Sequence, residues 1–92
     1  MSIKTIYKFT LPACTGKYLL PMQEGSKILD VQFQNGDIVI WAIVSPEKYK
    51  VNRKIEIYFT GRSLPVDPGE YIGTVQSTTG LVYHLFDMTN VV

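Results

Sequence analysis

Histidine and cysteine each occur once in the 92 residues, as His84 and Cys14. A single cysteine excludes an intramolecular disulfide framework, and one histidine leaves no cluster with zinc-ligand spacing. The carboxylates Asp30, Asp37, Glu56, Asp67, Glu70 and Asp87 are scattered, with no Asp-x-Asp or Glu-x-x-His arrangement, so no metal and no cofactor are expected. Charge of one sign is lacking too. Nine Lys and Arg against eight Asp and Glu leave +1, which argues against a protein held to nucleic acid by bulk electrostatics. The longest apolar run, Ile38–Val44, has seven residues, against the ~20 that span a bilayer. The opening Met1–Lys8 has no continuous apolar stretch of the signal-peptide kind. These absences predict a protein that is neither anchored nor exported by a classical signal, and that works in a reducing cytoplasm.

What is present is apolar and alternating. Hydrophobic residues make up 46% and charged residues 18%, a balance that folds, and the length suits one domain over 1–92. No ten-residue stretch has helical periodicity. Period-two alternation predicts strands over residues 3–10, 18–22, 28–34, 37–44, 54–60, 71–76 and 81–86. In the first strand, Ile3, Thr5, Tyr7 and Phe9 are expected to face the core, and in the third Leu29, Val31 and Phe33. Pro21 marks its strand as an edge or its end. Asn35-Gly36 is the strongest local signal, because a two-residue type I′ turn needs positive φ at both positions. Residues 37–44 are apolar on both parities, as in a strand covered on both sides; one cover could be another subunit. The polar stretch 47–53 is read as a connection with room for one helical turn, and the Gly- and Pro-rich segment 61–70 as irregular surface loop. About seven short antiparallel strands predict an all-β domain, a small β-sandwich or a partly open barrel.

No catalytic constellation emerges. His84 has no evident serine partner, and no Gly-x-Ser-x-Gly elbow occurs. It is first read as a hydrogen-bonded histidine on a half-buried strand face, and second as a ligand contact. Gln32 and Gln34 share one parity; the hairpin register decides whether Trp41 lies beside them, which would surround an indole with amides able to grip a planar ligand. Lys48, Lys50, Arg53 and Lys54 surround Tyr49, a composition shared by weak phosphate-gripping patches and by solvated loops. Thr15-Gly16-Lys17 and Gly61-Arg62-Ser63 have residue types of phosphate-binding loops, but neither has P-loop spacing or a following helix, so both are read as turns. Six tyrosines, Tyr58 among the candidates, favour an interaction surface over an active site.

The segments Ile6-Tyr7-Lys8-Phe9, Gly25 with Ile28-Leu29-x-Val31-Gln32-x-Gln34-x-Gly36, Trp41-Ala42-Ile43-Val44 with Pro46, Tyr71-Ile72-Gly73-Thr74-x-Gln76 and Gly80-Leu81-Val82-Tyr83-His84-Leu85-Phe86 together resemble a family of small, functionally unassigned proteins of bacteriophage and prophage genomes. That resemblance implies expression in the cytoplasm of a bacterial host and brings no functional residues with it. The expectation is a non-enzymatic binding protein acting on a host factor, by protein binding or by sequestering a small ligand, in a host-takeover or anti-defence role. Gln32, Gln34, Trp41, Tyr58 and His84 are the ligand or interface candidates, in a homo-oligomer. A minor virion or assembly component is the alternative, and a nucleic-acid accessory protein a further one.

Overall fold

The computed structural model describes residues 3–91; Met1 and Ser2, which open the N-terminal stretch discussed above, and Val92 lie outside them. The strands are β1 (Thr5–Pro12), β2 (Gly16–Gln23), β3 (Lys27–Gln34), β4 (Asp37–Val44), β5 (Lys50–Phe59), β6 (Glu70–Gln76) and β7 (Val82–Asp87), with no helix among the described residues. Two antiparallel sheets, β1-β4-β3 and β2-β5-β7-β6, face each other as a β-sandwich without barrel closure. The connections at residues 13–15, 24–26 and 45–49 carry the chain between sheets, and the β3–β4 and β6–β7 hairpins stay within one. Asn35 at φ 50° and Gly36 at φ 83° form the type I′ turn that the Asn-Gly pair demands.

The core lies between the sheets and follows strand alternation. From β4 come Ile38, Ile40, Ala42 and Val44, and from the facing sheet Ile55, Ile57 and Leu85, none more than 1% exposed. On the other parity of β4 the expected second covering layer is not supplied by a strand of the described chain. No strand of the described chain lies over Val39, Trp41 and Ile43; Val39 is buried between the cross-strand neighbours Thr10 and Gln32, while Trp41 and Ile43 are half-buried. Pro21 sits within β2, which is an edge strand, where its missing N–H costs no ladder bond.

Three expectations are corrected. In β1 only Phe9 and Leu11 pack inward, and Ile3, Thr5 and Tyr7 are exposed, because the facing sheet covers only the C-terminal half of this edge strand. In β3 a bulge between Ile28 and Asp30 ejects Leu29 to 44% exposure and turns Ile28 toward the core. β5 starts at Lys50, with Val51 opposite Met22, so the stretch 47–53 holds strand where a connection was expected.

Two contacts fasten the sheets to each other. The edge strands β3 and β6 approach so closely at Gly73 that a Cβ there would stand 2.3 Å from Val31 Cγ1. At one end of the sandwich Arg53 points inward. Its Nε and Nη2 donate to Asp87 Oδ2 at 2.9 and 2.5 Å, and its Nη1 donates to the Ser26 carbonyl at 2.9 Å. The other carboxylate oxygen, Asp87 Oδ1, accepts from Thr89 N and Thr89 Oγ1. One guanidinium thus joins β5, β7 and the loop before β3 in charge-assisted bonds.

Gly73→Ala is expected to destabilise the domain by about 1–3 kcal/mol, the range for forcing extra volume into a packed contact. The same change in a Val31→Ala background should cost clearly less; equal costs in urea melts of the two backgrounds would show that the approach is not a constraint. A second expectation concerns acid. Burial pushes the Asp87 carboxyl up, but the hydrogen bonds from Thr89 and Arg53 and the charge of Arg53 outweigh it and hold the group below its ordinary value. Stability from a depressed carboxylate is fully present above the unfolded pKa, about 3.9, and is lost as pH falls through the lower folded value. Melting temperature should therefore fall below about pH 4, and Asp87→Asn should remove this component of the acid limb; an unchanged acid limb in that variant would contradict it.

Candidate functional site

On β7, alternation sends Tyr83, Leu85 and Asp87 inward and Val82, His84 and Phe86 outward. His84 stands opposite Tyr58 of β5 on one side and Thr74 of β6 on the other, and Phe86 stands between Glu56 and Tyr71. This outer face carries a continuous polar chain. Tyr71 Oη and Thr74 Oγ1 are 2.6 Å apart, Thr74 Oγ1 and His84 Nδ1 3.0 Å, and His84 Nε2 and Thr60 Oγ1 2.7 Å. A threonine hydroxyl donates or accepts, so the two threonines serve either imidazole tautomer. Phe86 packs edge-on against both flanking tyrosines, at 6.2 Å from the Tyr58 ring and 5.7 Å from the Tyr71 ring.

Tyr58 donates its hydroxyl to the Glu56 carboxylate. That bond, with burial and the carboxylate charge in support, pushes the phenol up to about 12. The hydroxyl is therefore a fixed donor at neutral pH. A groove of about 240 Å³ beside His84 is bordered by Phe86, Leu64 and the turn at Gly61-Arg62. Chemically the face can stack and hydrogen-bond a partner. Both nitrogens of His84 are engaged by hydroxyls; among the described residues no carboxylate bonds the ring and no three His, Cys, Asp or Glu converge as a metal site.

The five ligand or interface candidates separate into two groups. Tyr58 and His84 share the outer face of the four-stranded sheet. Trp41, Gln32 and Gln34 share the outer face of the three-stranded sheet, on the far side of the sandwich. The hairpin register does place Gln32 on the indole side, but the immediate neighbours of Trp41 are Lys8 and Asp30, and Gln32 bonds Asp30 at 3.4 Å. Gln34 stands opposite Asp37 near the turn. Of the basic patch, Lys48, Lys50 and Lys54 are exposed, but Arg53 belongs to the interior pair with Asp87. Of the tyrosines, Tyr7, Tyr49 and Tyr71 are exposed, whereas Tyr83 is buried.

Thr60, Thr74, Tyr71, Glu56 and Phe86 complete the site and were not legible beforehand. Strand order β5-β7-β6 was needed to bring them together. Parity also misleads in β6, where residues 71 and 74 of an unbroken strand face opposite ways; the bulge at Ile72 puts Tyr71 and Thr74 on one face. Thr15-Gly16-Lys17 and Gly61-Arg62-Ser63, read as separate turns, line one cavity.

A family model described as "Domain of unknown function (DUF7352)" matches residues 2–91. The chain belongs to this family. No match was found among curated proteins or among solved structures. Membership spans nearly the whole chain, so the two sheets and both outer faces belong to the DUF7352 unit.

At about pH 11 Tyr58, pushed up to about 12, keeps its proton. Glu56→Gln removes the charge and weakens the acceptor, and is expected to raise the tyrosinate absorbance at that pH by one residue's worth. An unchanged absorbance would mean that the Tyr58–Glu56 bond does not form in solution.

Proposed function

We propose that the chain is a non-catalytic binding module that engages a bacterial host protein through the outer face of its four-stranded sheet. The observation that carries this reading is the His84 array, in which Thr60 and Thr74 fix the imidazole from both sides beside Phe86, Tyr58 and the exposed Tyr71. Aromatic rings whose polar tips are already oriented lose little freedom on binding. The phage or prophage setting and the cytoplasmic location rest on the sequence resemblance, and they make a host factor the natural partner. A nucleic-acid role loses support because Arg53 is withdrawn from the basic patch.

The opposite face favours self-association. Across it runs the row Lys8, Trp41, Asp30, with Ile6, 57% exposed, opposite Ile43 in the next row. A second copy related by a two-fold axis along β4 sets each Lys8 against the other copy's Asp30, with the indoles between them. Face-to-face sheets of this kind exclude water from the apolar centre and leave the charges at the rim.

Native mass spectrometry of the untagged protein, purified gently from a bacterial host, tests both faces. The expected species is a dimer carrying a retained protein. Lys8→Glu should give monomer, and Lys8→Glu with Asp30→Lys should restore the dimer. Tyr71→Ala with His84→Ala should release the retained protein and leave the dimer intact. A protein retained equally by that double variant would overturn the assignment of the His84 face.

A further inference from the structure

A cavity of about 660 Å³ lies at the end of β5 on the β2 side, next to the His84 groove. It exists because β2 begins late. Gly16, the first residue of β2, stands opposite Ile57, so Tyr58 and Phe59 extend past their partner strand and leave a notch. Two segments close this notch, Thr15-Gly16-Lys17 where the crossover from β1 enters β2 and Gly61-Arg62-Ser63 from the turn after β5. Each contributes one cation, one hydroxyl and one glycine.

The charges in the notch are of one sign. No carboxylate is among its lining residues, and neither Lys17 nor Arg62 forms an ion pair among the described residues. Glu56 is the cross-strand neighbour of Lys17, and its carboxylate receives the Tyr58 hydroxyl. Nor do the Thr15 and Ser63 hydroxyls take part in any hydrogen bond among the described residues. The framework that presents these groups is pinned. Tyr18 Oη donates to the Cys14 carbonyl at 2.7 Å and Tyr83 Oη to the Ala13 carbonyl at 3.2 Å, so two tyrosines hold the crossover. The other segment is anchored where Arg62 N donates to the Phe59 carbonyl at 3.3 Å.

We infer that this notch binds a phosphorylated small molecule with an aromatic body, of the nucleoside diphosphate class, with Lys17 and Arg62 on the phosphates and Phe59, on the inward side of β5, as the apolar wall. A guanidinium and an ammonium at the rim of one notch suit a polyanionic group, and free hydroxyls on the same rim supply further donors. A cavity of this size accommodates such a ligand. The notch borders the His84 groove and shares Phe59, Gly61 and Arg62 with it, whereas Lys17 belongs to the notch alone and His84 and Tyr71 lie outside it, so variants at those three positions tell failure of one site from failure of the other.

The test is titration of the isotopically labelled full chain with ADP, with adenosine as the probe lacking phosphate, followed by backbone amide shifts. ADP at millimolar concentration is expected to move the amides of residues 15–17 and 61–63. Adenosine should leave those of Lys17 and Arg62 in place. Lys17→Gln with Arg62→Gln, both at exposed positions, should weaken ADP binding by about tenfold or more while the rest of the spectrum is unchanged. Absence of shifts with ADP, equal shifts with adenosine, or undiminished ADP binding by the double variant would each overturn the proposal.

Discussion

One extra residue in β6 sets the relation between core and surface. With Ile72 bulged out of register, Gly73 faces inward beneath Val31, and Tyr71 and Thr74 come to the same outer face as Phe86 and His84. Without that bulge the strand could satisfy one side of the sheet at a time: either the close approach to β3 or the hydroxyl chain to the histidine. β3 carries its own bulge, at Leu29, on the edge that meets β6. Bulges at both adjoining edges distort the free ladders, so two strands that cannot pair can still pack closely.

Much of this architecture is legible in the sequence because most strands obey period two. The seven strands, the Asn35-Gly36 turn and the edge position of Pro21 follow from local chemistry alone. The misreadings have physical causes. Arg53 occupies an inward position of β5 and interrupts the apolar pattern of Val51, Ile55 and Ile57, so the first third of that strand looks like polar loop. Its partner Asp87 is 34 residues away and takes an inward place at the end of β7. A charge pair formed by folding leaves no periodic trace. The bulged Leu29 and Ile72 break parity in the same silent way.

The candidate site was half legible. His84 and Tyr58 stand out, one as a unique residue and the other as an outward-facing aromatic. Their surroundings depend on which strands are neighbours, and alternation does not encode strand order. β5 and β7 are separated in sequence by β6 yet adjacent in the sheet, so Thr60 reaches the imidazole from one side while Thr74 reaches it from the other. The sequence leaves the side of Trp41 open to the hairpin register; the register puts it on the Gln32 side, on the opposite sheet from His84.

The slab is thin for its breadth, with Cα extents of 45 × 33 × 16 Å. The core between the sheets separates the face bearing Trp41 from the face bearing His84. Substitutions on either side are therefore insulated by the interior between them. A lineage carrying this domain can redraw one outer surface while the other stays under its own selection, without renegotiating how the chain folds.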